Sequence, residues 1–242
     1  MMKKRSVIDV LVFLLLLVAV APANAGGKEQ PTIHGKTYGE WSAKWWQWIR
    51  SIPDPDGSSH PLTNSGQVDC SIGQSGPVFF LAGTIGSAPV VRECTVPKGK
   101  ELFLSPLNFM FHNEPADPPL TEAEKRQLLD SVIDDHDSIL DPFNGRACNL
   151  AVTVNGVSMV FSAVTIARTQ SPAFRIEIGE HDVFGGTAGT VDEAAVSDGF
   201  WVMLRLPKGQ HMLHVPGALC TLDTNEPLAG FQQDYTYHLL VK

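Results

Sequence analysis

The sequence contains no Cys-x-x-Cys pair; its four cysteines, Cys70, Cys94, Cys148 and Cys220, are widely spaced. Zinc-ribbon and thioredoxin-like readings need thiols at short spacing and are excluded. Positive charge is scarce: 18 Lys and Arg stand against 26 Asp and Glu, for a net charge of −8. The densest basic pairs are Lys98 with Lys100 and Lys125 with Arg126. Phosphate contacts need clustered cations, so no nucleic-acid partner is expected. After residue 20 no long apolar run occurs, so no membrane span is expected beyond the N-terminal segment.

That segment reads "MMKKRSVIDVLVFLLLLVAVAPANAGGK". Lys3, Lys4 and Arg5 precede an apolar run from Val10 to Val20, and Ala23-Asn24-Ala25 follows. This order predicts a signal peptide, residues 1–25, cleaved after Ala25. The apolar run is short for a spanning helix, which needs about 20 residues. Residues 26–242 would then form one secreted domain, periplasmic or extracellular. Cleavage removes three bases and one acid, moving the net charge from −8 to −10. In an oxidising compartment four cysteines imply two disulfides. Three pairings exist; Cys70–Cys94 with Cys148–Cys220 is favoured, because the first closes a local strand unit.

Two helices are legible. Thr37 and Glu40 form a capping box that starts a helix over 38–51, stopping before Pro53. Thr121 and Glu124 repeat the box after Pro118 and Pro119. Leu128, Leu129, Val132, Ile133, Ile139 and Leu140 then recur at helical spacing over 122–140. The rest reads as strand and turn. Residues 76–83 predict a buried strand, and 149–161 a hairpin around Asn155-Gly156. Residues 198–215 predict a strand pair around Pro207-Lys208-Gly209, and 101–104, 175–178 and 234–241 further strands. The expected fold is mainly β, a jelly-roll-like β-sandwich with two packed helices and two disulfides. Residues 52–69 and 183–198 read as long loops, where binding or catalysis usually sits.

Four of the five tryptophans lie in "WSAKWWQWIR" (41–50). At about 100° per residue, Tyr38, Trp41, Trp45, Trp48, Ile49 and Ile52 share one arc of about 100°, the width of a core-facing stripe. Trp46 falls at its edge and is left as a ligand contact. Trp201 and Tyr237, on predicted strands, join it as candidates for a sugar-binding groove.

A metal site would draw on His112, Glu114, His211 and His214, since imidazole and carboxylate suit first-row metals. Pro-Lys-Gly ahead of His211 resembles a cupin turn. The spacing to His211 and His214 departs from that pattern, and the His-x-His element is missing. Positions 211 and 214 also face opposite sides of a regular strand. No other cofactor is expected. Gly73-Gln74-Ser75-Gly76-Pro77 resembles a protease nucleophile motif, but lacks the acid before the serine and one glycine. It reads as a turn into a strand. Asp54, Asp56 and Ser58 resemble part of a calcium loop without its distal Glu, and read as a solvated turn.

Together, "GEWSAKWWQWIRSIP", "GQSGPVFFLAG", "CTVPKGK" and "SDGFW" resemble a group of secreted bacterial proteins of unknown function. The resemblance implies compartment and no activity. The leading expectation is a non-catalytic binding module for a polysaccharide or another cell-envelope component, which would be its partner. The alternatives are a secreted carbohydrate hydrolase or lyase, with or without a metal, and a structural or assembly protein of the surface.

Overall fold

A computed structural model of the chain describes residues 32–85, 89–133, 145–159 and 166–242. The expected signal peptide lies outside them. In chain order the elements are α1 (Tyr38–Arg50), β1 (Val78–Phe80), β2 (Val90–Val96), β3 (Glu101–Phe111) and α2 (Glu122–Ile133). They continue with β4 (Gly145–Cys148), β5 (Thr153–Val154), β6 (Val157–Ser158), β7 (Ile166–Gln170) and β8 (Phe174–Glu177). Three long strands close the fold: β9 (Val191–Leu204), β10 (Gly209–Thr221) and β11 (Pro227–Val241).

Both helices start where the capping boxes place them. The Thr37 hydroxyl accepts from Glu40 N at 3.2 Å, and the Glu40 carboxylate accepts from Thr37 N at 2.7 Å. Thr121 and Glu124 make the same reciprocal pair at α2. The expected continuation of α2 to residue 140, with Ile139 and Leu140, lies outside the described residues.

The strands form two sheets. One runs β1-β3-β9-β7, with β8 also on β9; the other runs β2-β11-β10-β5-β6, with β4 also on β10. Most ladders are antiparallel, but β1–β3 and β2–β11 are parallel. The result is a mainly-β protein of two packed sheets and two helices. Both disulfides pair as expected, Cys70–Cys94 and Cys148–Cys220. The first ties loop 52–69's end to β2; the second ties β4 to β10.

Period-2 alternation explains the layering. On β3, Leu102 and Leu104 face the six-stranded sheet, while Phe103 faces α1. On β9, Val202 and Leu204 face one way and Trp201 and Met203 the other. The five-stranded sheet is thus covered on both faces, which is why these strands read as continuous apolar runs. Helix α1 supplies the outer cover. Trp45 packs edge-on against Trp201 at 5.5 Å, and Trp201 stacks on Phe103 at 4.8 Å.

Two expectations need correction. The strands flanking Pro207-Lys208-Gly209 do not pair: β9 and β10 belong to different sheets, and the turn carries the chain between them. Both edges of β9 are already taken, by β3 on one side and by β7 and β8 on the other. The second long loop is also shorter than 183–198, because β9 begins at Val191. Its acidic residues hid the strand. Asp192 is buried there, since Lys125 Nζ meets its carboxylate at 2.6 Å.

One irregularity shapes the site below. The β3–β9 register shifts between Leu104 and Leu107, around Pro106, which lacks the N–H a ladder needs. The carbonyls freed there find other donors: Tyr235 Oη donates to Ser105 O and Gln233 Nε2 to Pro106 O, both at 2.9 Å. Gly217 of β10 passes so close to Pro106 O that any side chain there would collide with it.

Candidate functional site

Beyond the Pro106 bulge, β3 and β11 border a pocket of about 390 Å³ under the C-terminal half of α1. Trp45 and Trp46 come from α1, residues 107–110 from β3 and residues 230–233 from β11. Leu62, Thr84 and Ile85 close one side and Phe184 another. Ile85 and Phe184 are about half exposed, at 48% and 46%, so they stand as apolar residues at the mouth. Among the described residues no charged side chain lines this pocket.

Its polar atoms are unusual. Six buried side-chain polar atoms among the described residues have no hydrogen-bond partner; Trp46 Nε1, Thr84 Oγ1 and Asn108 Oδ1 belong to residues that line this pocket. Buried polar groups are nearly always paired, because an unpaired one costs about 1–3 kcal/mol. The other three unpartnered atoms are Glu114 Oε1, Thr190 Oγ1 and Trp201 Nε1. The other tryptophans of α1 are satisfied. Trp41 Nε1 donates to Ile33 O, Trp45 Nε1 to Leu81 O and Trp48 Nε1 to Ile72 O, at 2.8, 3.0 and 2.9 Å.

Two buried side chains hold the loops that form the pocket wall. Arg92, with no exposed surface, pairs with no carboxylate among the described residues; it donates to Pro61 O and Asn64 O at 2.6 and 2.7 Å. It also donates to Ala82 O, Gly83 O and the Tyr237 hydroxyl. Leu62 and Thr84 are therefore carried by segments that one guanidinium joins. His60 Nε2 donates to Ile49 O at 2.9 Å, while its Nδ1 accepts from Leu62 N at 3.0 Å. Burial holds this imidazole below its ordinary pKa and keeps it neutral.

An ionic cluster backs Phe184. Arg50, at the end of α1, makes a two-pronged contact with Asp182 at 2.9 and 2.7 Å. Its guanidinium lies 5.3 Å from the Phe184 ring centre, and Phe184 lies 5.9 Å from Trp46. Arg50 Nη1 also donates to His112 Nε2 at 2.9 Å, and His112 Nδ1 donates to Asn113 O. That tautomer leaves no proton between His112 Nε2 and Glu114 Oε1, 3.4 Å away, and Glu114 Oε1 is another unpartnered atom. Burial and the neighbouring Arg50 push the His112 pKa down, with Glu114 opposing.

The expected site residues fall in different places. Trp46 lines the pocket, but it is buried at 6% exposure rather than left at a stripe's edge. Phe184 covers it from a loop that the helix alone did not reveal. Trp201 and Tyr237 are core residues at 0% and 1% exposure and form no groove with Trp46. Tyr237 Oη donates to Ala82 O instead.

The four expected metal ligands do not converge. His112 and Glu114 are neighbours, but the Arg50 guanidinium occupies the side of the imidazole where a cation would sit. His211 donates to Pro207 O and meets Asn155, while His214 pairs with Asp234 at 2.8 Å. Strand alternation separates these two, as their odd spacing requires. Among the described residues no group of three or more His, Cys, Asp or Glu is placed to hold a metal.

The other motifs are accounted for locally. Asp54 and Asp56 accept backbone N–H groups of Ser58, Ser59 and His60, as Asx turns do. Gly73 and Gly76 adopt φ of 64° and 63°, the turn geometry that the Gly-Gln-Ser-Gly stretch serves.

Comparison with known proteins assigns no family. No protein-family profile matches the chain, and no curated protein does. A chain from the structure of PbICP-C in complex with falcipain-2 aligns over 69% of this chain and all of its own length. Identity is 6% and the TM-score 0.26, a level that carries no argument about fold or function.

Proposed function

We propose that this is a non-catalytic binding module of the cell envelope, exported by its N-terminal signal segment, with its ligand seated in the pocket beneath α1. The observation that carries this reading is one aromatic-lined hollow, without a charged side chain among the described residues, three of whose lining residues carry an unpartnered buried polar atom. Ligand sites are mostly apolar hollows with a few convergent polar groups. Catalysis in the same place would need a nucleophile, an acid and base, or a metal. Among the described residues no Asp, Glu, His, Lys, Cys or Ser lines the pocket. Behind Phe184, Arg50 and Asp182 are committed to each other at 2.7 Å. Two disulfides are in keeping with export to an oxidising compartment. Among the described residues no helix is long and apolar enough to cross a membrane.

The test is tryptophan fluorescence of the purified protein during titration with envelope glycans, glycolipids and peptidoglycan fragments. At least one is expected to change the emission saturably, and Trp46→Ala to abolish that change. No saturable binder across the panel, or binding that Trp46→Ala leaves intact, would overturn the reading.

A further inference from the structure

We propose a copper-binding site on the outer face of the six-stranded sheet, with the His238 imidazole and the Met212 thioether as its main ligands and the Glu93 carboxylate beside them. Strand register sets these three in one row. His238 is the Cα partner of Met212 across the β10–β11 ladder and of Glu93 across the β11–β2 ladder. Side chains directly opposite on neighbouring strands stand about 5 Å apart at Cβ. Alternation sends the adjacent Arg92, Leu213 and Tyr237 into the core and turns all three of the row outward. There they are exposed and line one open groove of about 690 Å³.

The row differs from its surroundings in being uncommitted. On β10, His211 donates to Pro207 O and meets Asn155, and His214 pairs with Asp234 at 2.8 Å. Among the described residues the side chains of Glu93, Met212 and His238 have no hydrogen-bond or ion-pair partner. Glu93 meets Gln67 only through its backbone N–H and C=O. The imidazole and the carboxylate therefore stand opposite each other without closing an ion pair, and both keep their lone pairs for a ligand.

The donor set decides the ion. Magnesium, calcium and manganese take oxygen ligands, and a row with one carboxylate gives them little. Zinc takes imidazole, thiolate and carboxylate, and the sulfur here is a neutral thioether. Copper accepts imidazole and thioether together, and the soft thioether selects its cuprous form. Met212 is 41% exposed, so its sulfur is open to an ion from solution. Glu93 supplies the local negative charge, and the chain's net charge of −8 favours cation approach. With a thioether as the third donor, the row falls outside groups built from His, Cys, Asp and Glu alone. It shares no lining residue with the pocket beneath α1 and stands independently of it.

Competition for Cu(I) against a chromophoric chelator tests this, on the untagged protein under anaerobic ascorbate. The protein is expected to withdraw a single Cu(I) per chain and to hold Zn(II) distinctly more weakly. Met212→Leu and His238→Asn should each weaken Cu(I) binding by at least about tenfold, because even groups behind a metal ligand are worth about 10–100-fold in affinity. Glu93→Gln should weaken it less. His214→Gln, on the same face but at a histidine already paired with Asp234, should leave it unchanged. All four positions lie on the solvent side of their strands, so thermal melting of the variants should match the parent protein. No withdrawal of copper from the chelator would overturn the proposal. So would copper binding that survives both Met212→Leu and His238→Asn, or that His214→Gln weakens equally, which marks adventitious capture by surface histidines. Zn(II) held as tightly as Cu(I) would overturn the choice of metal.

Discussion

Trp45 and Trp46 are adjacent in sequence, both are buried, and they differ in one atom's fate. The Trp45 indole lies against Trp201 and donates to Leu81 O, so every polar demand is met inside the fold. The Trp46 indole lies against Phe184 and donates to nothing. The contrast extends to their surroundings. On the Trp45 side, aromatic rings interlock across α1 and the five-stranded sheet. On the Trp46 side, Thr84 and Asn108 also carry unpaired atoms around open volume.

The largest expected effects lie in the frame that supports the contrast. Asp182→Asn breaks the buried pair with Arg50 and should cost about 3–5 kcal/mol in chemical denaturation, because it leaves a buried guanidinium uncompensated. A cost below 1 kcal/mol would show that Arg50 finds water instead. Trp45→Ala should cost about 3–5 kcal/mol, as large core truncations do, and Trp46→Ala less, because Trp45 also loses its bond to Leu81 O while Trp46 Nε1 has none to lose. Equal losses would erase the distinction drawn here.

Removing the disulfides gives a graded pair. By loop closure, losing Cys148–Cys220, with a separation of 72 residues, should cost about 4 kcal/mol, and losing Cys70–Cys94, with 24, nearer 3. The reverse order, read from urea midpoints of the two double-serine variants, would show that the Cys70 loop contributes more than its length.

Acidification should weaken the pocket wall before the rest of the protein. His60 and His112 are both held below their ordinary value of 6.5, each chiefly by burial. As pH falls, the unfolded chain takes up these protons before the folded one does. Their contribution to stability is therefore complete above about pH 6.5 and is lost as pH falls below it. The Asp192 carboxyl acts in a lower window. Burial raises its pKa, but hydrogen bonds from Lys125, Ala194 and Asn113 outweigh that and set it below the ordinary 3.8. Its contribution is lost only under stronger acid. A melting temperature that falls between pH 7 and 5, and falls less in His112→Gln, is the expected result. A slope unchanged by that variant would remove His112 from the account.

The smallest effect is the sharpest. Trp45→Phe strands the Leu81 carbonyl and should cost about 1–3 kcal/mol beyond the lost ring. Trp46→Phe strands nothing in the ligand-free protein and should be close to neutral for stability.

Much of the fold was legible because its signals are local. Two capping boxes placed both helix starts, a 100° stripe identified Trp41, Trp45 and Trp48 as core, and Asn155-Gly156 marked its hairpin through positive φ of 52° and 77°. The site was not legible, because it is assembled from distant segments. Nothing near Asn108 announces that a proline bulge two residues earlier redirects it, or that Thr84 and Phe184 meet Trp46. The acidic run at 191–195 looked like a loop because its partner, Lys125, lies 67 residues away. Nothing in the sequence around Arg92 announces that it ties two loops together through their carbonyls. The His112–Glu114 neighbourhood was anticipated, while the arginine that fills it was hidden within the tryptophan stretch.

The most direct measurement follows the indole N–H resonances of the protein by nuclear magnetic resonance while envelope glycans are added, with assignments from single Trp→Phe variants. The expected result is that the Trp46 N–H signal moves more than that of Trp45, whose N–H is already bonded to Leu81 O. A bound sugar that leaves Trp46 unmoved, or moves Trp45 equally, would contradict it.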